Sequence, residues 1–173
     1  VTLIHTGTCN DGVGKALSGG CIVVKNPGFS SQYASEQAER NVLVGNFALF
    51  GATGGELYVN GQAGDRFGVR NSGAVAVIEG VGDFCCEYMT NGSIVNLGSY
   101  GKGFGNGMSG GNAYQYDPSG LIAERCSQDS IEVYSIMENT ALADGHEVAL
   151  LYHLRNHVAR TASPLASKIL ENW

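Results

Sequence analysis

Short apolar runs recur along the first two thirds of the chain, and each begins just after a two-residue turn signal that ends in glycine. The turn signals are Gly19-Gly20, Gly54-Gly55, Ser72-Gly73, Asn91-Gly92 and Gly110-Gly111. The last four are spaced by 18, 19 and 19 residues, and the interval from Gly20 to Gly55 is 35 residues, about twice that period. A fixed period of this length indicates a repeat architecture.

The apolar positions keep a constant offset from these turns. The residue two positions after the last glycine of each signal is always apolar, and these residues are Ile22, Leu57, Val75, Ile94 and Ala113. Alternate residues of a strand face opposite sides, so a fixed apolar offset predicts one buried strand face in every repeat.

Units of 18 to 19 residues leave no room for the helical crossover that usually joins parallel strands. A solenoid removes the need for one, because each coil stacks its strands on the coil before it. We therefore predict an all-β fold, a parallel β-helix with about 18–19 residues per coil, whose glycines supply positive φ at the corners. An antiparallel sandwich with hairpins, which "TNG" at 90–92 would also suit, is the alternative. Residues 26–41 carry no turn signal and are expected to form an irregular excursion.

The composition changes near residue 120, because 24 of the 26 glycines lie between Gly12 and Gly120. This divides the chain into a glycine-rich parallel β-helix over 1–120 and a C-terminal cap over 121–173. Within the cap, the alternation of residues 130–136 predicts a final strand, and residues 142–161 and 164–173 predict two helices. A buried stripe is expected on the first helix, formed by Val148, Leu151, Leu154 and Val158. Ser163 before Pro164 is typical of a helix start.

Charge and cysteine content narrow the functional classes. The net charge of −6 and the absence of a Lys/Arg cluster disfavour nucleic acid and anionic membranes as partners. No apolar run is long enough to span a membrane and no targeting segment is recognisable. Five cysteines without a C-x-x-C pair predict reduced, buried thiols in a cytosol-like compartment and give no support to a zinc or iron–sulfur site.

The segment "GNGMSGG" at 105–111 matches the G-x-G-x-x-G spacing of a dinucleotide-binding loop through Gly105, Gly107 and Gly110. Such a loop opens a helix and is followed by an acidic residue about 20 positions later. Glu124 stands near that distance, but "GNAYQYDPSG" is poor helix sequence. We therefore interpret these glycines as stacked corners. "GKG" at 101–103 is not a P-loop, because glycine follows the lysine.

Three histidines, His146, His153 and His157, lie on one side of the first predicted helix. Their spacing suits a metal, but no Glu stands in the H-E-x-x-H position and no third ligand is evident. They are expected to lie away from Val148 and Leu151, on a solvated or partner-facing surface.

The remaining candidates are charged or nucleophilic residues near corners. Asp65-Arg66, Asp83 and Glu87 are expected to be solvated or salt-bridged. Arg70 falls in a register that elsewhere holds Leu17, Ala52, Met89 and Met108. A buried paired arginine, a partner contact and a bound anion all remain open for it. Cys85-Cys86 has no neighbouring cation to activate a thiol. No residue of the chain is therefore predicted to be catalytic, to bind a cofactor or to bind a metal.

Residues 45–98 ("GNFALFGATGG…SIVNLG") and 105–117 ("GNGMSGGNAYQYD") resemble the glycine-repeat C-terminal domain of the large (alpha) subunit of glutamate synthase. The resemblance runs from about Asn10 to about Asp117, and the tail "LLYHLRNHVARTASPLASKILENW" is similar to the end of that subunit. Ala16 stands where that family usually has Gly, and Phe84-Cys85 replaces a more typical His-Gly.

The resemblance implies a right-handed parallel β-helix without catalytic residues in a cytoplasmic enzyme. In that family the domain braces a glutamine amidotransferase domain against a synthase domain that carries FMN and a 3Fe-4S cluster. The whole enzyme makes glutamate from glutamine, 2-oxoglutarate and a reductant. A scaffold subunit of a related complex, of the N-methylglutamate synthase or formylmethanofuran dehydrogenase type, is the alternative. Still open are the electron donor, whether the chain is a domain or a subunit, and homo-oligomer formation when it is isolated.

Overall fold

The computed structural model of the chain describes residues 1–28, 40–126, 131–137 and 140–173. Within these ranges, eight strands precede the helices, and they are β1 (Thr2–Thr6), β2 (Ser18–Lys25), β3 (Val42–Val44), β4 (Gly54–Val59), β5 (Gln62–Ala63), β6 (Ser72–Ile78), β7 (Asn91–Asn96) and β8 (Asn112–Gln115). A six-stranded sheet has the order β1-β2-β4-β6-β7-β8, and β3 pairs with β5 in a second sheet. The excursion predicted over 26–41 lies mostly outside the described residues.

Every strand pair in both sheets is parallel. Leu57 pairs with Ala76, Ala76 with Ile94 and Ile94 with Ala113, so consecutive coils are 19, 18 and 19 residues apart. This confirms the parallel β-helix and is incompatible with the antiparallel sandwich.

The predicted register is wrong by one residue in a single coil. Ala76, and not Val75, pairs with Leu57 and Ile94. The ladder shifts between Ser72 and Val75, where the chain contains one more residue than the coil that follows. A one-residue shift moves a side chain to the opposite face of a sheet, so Ala76 is fully buried and Val75 only half-buried.

The sheet is buried on both faces. Leu57, Ala76 and Ile94 point into the lumen of the solenoid, where they contribute to the larger apolar cluster. Their neighbours Tyr58 and Val77 belong to a second cluster on the outer face. Alternate residues therefore serve two cores, which explains the nearly continuous apolar character of these strands.

In the described part of the chain after the solenoid there are three helices, α1 (Ile122–Arg125), α2 (Thr140–Thr161) and α3 (Pro164–Glu171). The start of α3 is confirmed, because the Ser163 side chain accepts the N–H of Ala166 and Pro164 is the first helical residue. The strand predicted over 130–136 is wrong for the described residues 131–136, which have no regular secondary structure. Positions 132–135 are all exposed, so their alternation corresponds to no buried face. The short helix α1 was not predicted.

Helix α2 packs on the outer face of the sheet, but not through the whole predicted stripe. Leu150 and Leu154 are buried against Tyr58 and Val77, whereas Val148 is 69% exposed. The buried face of α2 is rotated relative to the predicted stripe, because it includes His153 and His157. A prediction based on apolar residues alone places these two histidines in solvent.

Candidate functional site

Each coil turns at one corner through three residues in the left-handed backbone region, at positions i, i+2 and i+4, with φ between 46° and 75°. We call this stack the left-handed corner. Its triplets are Gly12-Gly14-Ala16, Phe47-Leu49-Gly51, Arg66-Gly68-Arg70, Phe84-Cys86-Tyr88 and Gly103-Gly105-Gly107. Residues other than glycine rarely adopt this backbone conformation. The triplets in the three middle coils are therefore hard to recognise from sequence.

Backbone hydrogen bonds join the left-handed corners of neighbouring coils in alternating directions. The N–H groups of Arg66 and Arg70 donate to the following coil, at Asp83 O (2.7 Å) and Glu87 O (2.9 Å). The N–H of Gly68, between them, donates to Ala48 O of the preceding coil (2.9 Å). Each inner coil is therefore bonded on both sides through one corner.

Bulky side chains of one coil cover glycines of the next at this corner. A Cβ added to Gly103 would lie 2.8 Å from Cε1 of Phe84, and one added to Gly107 would lie 2.6 Å from Cδ1 of Tyr88. Glycine is therefore required at these two positions by space more than by φ, since Phe84 and Tyr88 adopt similar φ values of 61° and 54° one coil earlier. The glycines of the motif "GFGNG" at 103–107 thus leave room for the aromatic side chains one coil earlier.

A ladder of Asp and Asn side chains precedes the left-handed corner. Asp11 Oδ1 accepts the N–H of Asn46 (2.7 Å), and Asn46 Oδ1 accepts the N–H of Asp65 (2.9 Å). Asp65 and Asp83 repeat this contact with the N–H groups of Asp83 (2.9 Å) and Lys102 (3.0 Å). These carboxylates were predicted to be solvated or salt-bridged, and the structure shows that they also support the backbone of the next coil.

Two cations instead flank an aromatic ring on the outside of this corner. The Arg66 guanidinium and the Lys102 ammonium lie 5.6 and 5.8 Å from the ring centroid of Phe84. Such contacts are worth about 0.5–1 kcal/mol at exposed sites. They stabilise the stack of coils at this corner.

The G-x-G-x-x-G match lacks the helix that a dinucleotide-binding loop opens. Gly105 and Gly107 belong to the left-handed corner, and the N–H of Gly105 donates to Cys85 O (2.8 Å). Gly110 is followed by strand β8 instead of a helix. The interpretation of these glycines as stacked corners is confirmed.

The residue that breaks the corner pattern is Asn71 instead of Arg70. Arg70 is exposed, which excludes the buried paired arginine among the three alternatives left open for it. The N–H of Asn71 donates to Gly68 O, as the N–H of Met89 does to Cys86 O, and this places Asn71 in the register of Met89. Asn71 is fully buried, and its side chain bonds both the N–H and the carbonyl of Ala74 at 2.9 Å. It thereby fixes the chain beside the shifted register of β6.

A buried polar contact joins α2 and α3 to the solenoid. His157 Nε2 lies 2.8 Å from Glu79 Oε1, and the Ser163 hydroxyl donates to the same oxygen. All three side chains are fully buried. We call this contact, with the neighbouring His153 and Tyr58, the cap seam. Because Nε2 faces a carboxylate while buried Nδ1 has no partner, the Nε2–H tautomer of the imidazole suits the site.

The cap seam contradicts the predicted placement of two histidines. His157 and His153 are buried rather than solvated or partner-facing. His146 is half-buried, and its Nδ1 lies 2.8 Å from the hydroxyl of Tyr114. The three side chains thus contact different parts of the solenoid. The sequence clue that was missed is the position of His153 and His157 on the same helical face as Leu150 and Leu154.

The cap seam does not form a hydrolase triad. Ser163 donates to the carboxylate and not to the imidazole, so the three groups lack the order of a triad, in which the imidazole lies between the hydroxyl and the acid. Burial lowers the pKa of His153 and raises the pKa of Tyr58 above its usual range. Arg160 lies over the Tyr58 ring at 5.5 Å and pairs with Glu56 at 3.6 Å, at the half-exposed margin of the seam. These contacts anchor the helices to the sheet.

All five thiols are free. Burial raises the pKa of Cys85 well above its usual value and that of Cys126 to about 11. The Sγ atoms of Cys85 and Cys86 are 3.5 Å apart. Since the thiolate is the reactive species, the raised pKa values keep Cys85 and Cys126 unreactive near neutrality.

A cavity of about 320 Å³ lies beside the last strand, β8. Tyr114 of β8, Ile131, Tyr134 and His146 are among the residues that line it. Across the described ranges, no three His, Cys, Asp or Glu side chains are placed to hold a metal ion. In the same part of the chain, no helix has the length and apolar character needed to cross a membrane.

The fold and these sites define a class of protein, the glycine-cornered parallel β-solenoid with a helical cap. A family model described as "GXGXG motif" matches residues 1–173. The chain belongs to this family. The i, i+2, i+4 positions of the left-handed corner have the G-x-G-x-G spacing that gives the family its name.

The chain is also similar along its whole length to curated glutamate synthases. It is 44% identical to "Glutamate synthase [NADH]" of Schizosaccharomyces pombe, of which it covers 8%. It is 46% identical to "Ferredoxin-dependent glutamate synthase 2" of Synechocystis, covering 10%, and 43% identical to "Glutamate synthase [NADPH] large chain" of Bacillus subtilis, covering 11%. The chain spans about a tenth of the length of these relatives.

Proposed function

We propose that the chain is a structural domain or subunit of glutamate synthase, which braces the glutamine amidotransferase domain against the FMN-containing synthase domain. One observation carries the proposal. Relatives named for NADH, ferredoxin and NADPH match the whole chain at nearly equal identity, 44%, 46% and 43%. A segment that is retained to the same degree whatever the reductant serves what these enzymes have in common.

The described side chains support a structural role. The carboxylates of the Asp ladder bond backbone N–H groups, and the buried Glu79 bonds His157 and Ser163. These groups hold coils together or fasten the cap. In this proposal the activity of the whole enzyme, glutamine hydrolysis and transfer of ammonia to 2-oxoglutarate with reduction, belongs to the partner domains.

The residues present do not suit the cofactors expected in the synthase domain. An iron–sulfur cluster requires several accessible thiolates, and the thiols of Cys85, Cys86 and Cys126 are buried. The N–H groups of the left-handed corner that would face a flavin phosphate are largely bonded to neighbouring coils. We therefore place FMN and the 3Fe-4S cluster in the partner.

The proposal is tested by comparing the chain alone with the chain in its complex. The purified chain is expected to release no ammonia from glutamine and to carry no flavin absorbance. Glutamate synthase assembled with the chain is expected to couple glutamine to glutamate formation, whereas enzyme that lacks it loses that coupling. Flavin in a one-to-one ratio with the isolated chain would overturn the proposal, as would glutaminase activity. Co-purification with a complex that lacks an FMN synthase chain would favour the related-complex alternative.

A further inference from the structure

The chain contains three Asn-Gly dipeptides, at Asn60-Gly61, Asn91-Gly92 and Asn106-Gly107. In this dipeptide the main-chain nitrogen of glycine can attack the Asn side-chain carbonyl carbon, because glycine has no side chain to hinder the approach. The attack requires an Asn side chain and a following peptide group that can both move. From the sequence alone the three sites are expected to be equally susceptible to this attack. The structure shows that their surroundings differ.

Two of the three asparagines are held in place. Asn60 is 7% exposed, its Nδ2 donates to Thr161 O and its own N–H donates to Val24 O. Asn106 Nδ2 donates to Glu87 Oε1, and its carbonyl accepts the N–H of Tyr88. In both cases the attack first requires hydrogen bonds between coils, or with the cap, to break.

Asn91 differs from both. It is exposed at the first position of β7, and its Oδ1 accepts the N–H of Gly92 at 2.8 Å. That contact holds the side-chain amide next to the nitrogen that would attack it. The N–H of Asn91 donates to Asn71 O of the preceding coil at the long distance of 3.4 Å, but among the described residues its side chain bonds only the following peptide group. The register of the adjacent strand shifts beside this point.

We propose that Asn91 is a site of spontaneous deamidation and isoaspartate formation in the folded protein. The Gly92 nitrogen forms a bond to Asn91 Cγ, the Cγ–Nδ2 bond breaks, and ammonia leaves with the proton lost by the Gly92 nitrogen. The product is a five-membered succinimide. One water molecule then opens it at either carbonyl, which gives Asp or isoaspartate at position 91. No oxidant or reductant takes part, and the proposal does not depend on the proposed function.

Both products change the solenoid locally. Each adds a negative charge at a corner, and isoaspartate also lengthens the main chain by one carbon atom at the start of β7. Gly92 has no spare room, since a Cβ there would lie 2.7 Å from Asn71 Nδ2. The altered chain therefore strains the packing of β7 on β6 around Asn71.

The test follows the three asparagines by mass spectrometry of tryptic peptides during incubation of the full chain in mildly alkaline buffer. In the folded protein, Asn91 is expected to deamidate at least about tenfold faster than Asn60 and Asn106, which corresponds to a barrier difference of about 1.4 kcal/mol. In denaturant the three rates are expected to converge. An isoaspartyl methyltransferase assay distinguishes isoaspartate from Asp.

Asn91→Gln is the matched variant, because Gln would have to form a less favourable six-membered ring. It is expected to remove most of the isoaspartate signal and to leave the fold intact. Protection of Asn91 equal to that of Asn60 in the folded chain would overturn the proposal. Deamidation of Asn106 at the rate of Asn91 would overturn it as well, since the side-chain contacts would then not control the reaction.

Discussion

The left-handed corner and the cap seam solve the problem of buried polar groups in opposite ways. At the corner, backbone N–H and carbonyl groups of successive coils bond one another, and the arrangement repeats in five coils. At the seam, a single set of side chains, Glu79, His157 and Ser163, makes the contact once. The corner therefore tolerates varied side chains, whereas the seam depends on particular ones.

This difference predicts how each region fails. A side-chain change at an outward corner position leaves the backbone bonds in place. A change in the seam leaves buried polar groups without partners, and each such group costs about 1–3 kcal/mol. The following variants test that contrast, from the largest expected effect to the smallest.

Glu79→Ala is expected to lower the free energy of unfolding by about 2–6 kcal/mol, because it leaves the His157 imidazole and the Ser163 hydroxyl buried without an acceptor, at about 1–3 kcal/mol for each group. Urea unfolding followed by circular dichroism measures the loss. Glu56→Ala is the matched control, since it removes a carboxylate from the half-exposed pair with Arg160 and is expected to cost at most about 1 kcal/mol. Equal losses in the two variants would contradict the anchoring role of the seam.

Gly101→Ala tests the Asp and Asn ladder that precedes the left-handed corner, where the space between neighbouring coils is limiting. The added Cβ would overlap Asp83 Oδ1 and lie 2.8 Å from the Asp83 nitrogen. The expected loss is about 1–3 kcal/mol, as for other overpacked sites. Gly145→Ala in α2 has nothing within 4 Å of the new Cβ and should instead gain about 0.5–1 kcal/mol in the same unfolding experiment. A stable Gly101→Ala chain would show that the coils can separate slightly.

The seam is also expected to respond to pH through His153. Burial lowers its pKa in the folded chain below the unfolded value of about 6.5. The unfolded state then binds more protons, so stability falls as the pH drops below about 6.5 and is fully present above it. Urea midpoints measured across this range should fall less steeply in His153→Phe. An unchanged slope in that variant would assign the pH dependence to other groups.

Arg70→Gly is expected to have the smallest effect and the opposite sign. Arg70 has φ 55°, and relief of a left-handed conformation is worth about 1–2 kcal/mol before the greater unfolded-state entropy of glycine is subtracted. A net gain of up to about 1 kcal/mol is expected in thermal unfolding. Arg155→Gly, at an exposed position of α2, should lose about 1 kcal/mol. Destabilisation by both variants would mean that the Arg70 side chain contributes to the corner.

The sequence predicted the repeating part of the molecule better than the cap seam. The repeat of turns and apolar residues predicted the parallel solenoid and four of the five lumen positions. Val75 was misplaced because one extra residue beside Asn71 shifts the register, and no local signal marks it. The middle corners were not recognised, because Phe47, Arg66 and Phe84 occupy a conformation that a sequence reading assigns to glycine.

The cap seam could not be predicted from repeated turns and apolar residues. His157 bonds a carboxylate 78 residues away, and neither partner repeats. A pattern of apolar residues treats both as surface residues, because a buried charged group becomes acceptable only when its partner is known. The rotated face of α2 follows from the same contact.

The interval between β2 and β4 shows that this architecture can accommodate extra residues between two paired strands. Ile22 and Leu57 stack in direct register although 35 residues separate them, where other coils use 18 or 19. The longer interval is thus accommodated while residues 21–24 stay paired with residues 56–59, although the ladder shifts register between Ser18 and Cys21. The solenoid can therefore acquire new peptide segments at the side of a coil during evolution, and the same interval offers protein engineers a place to graft one.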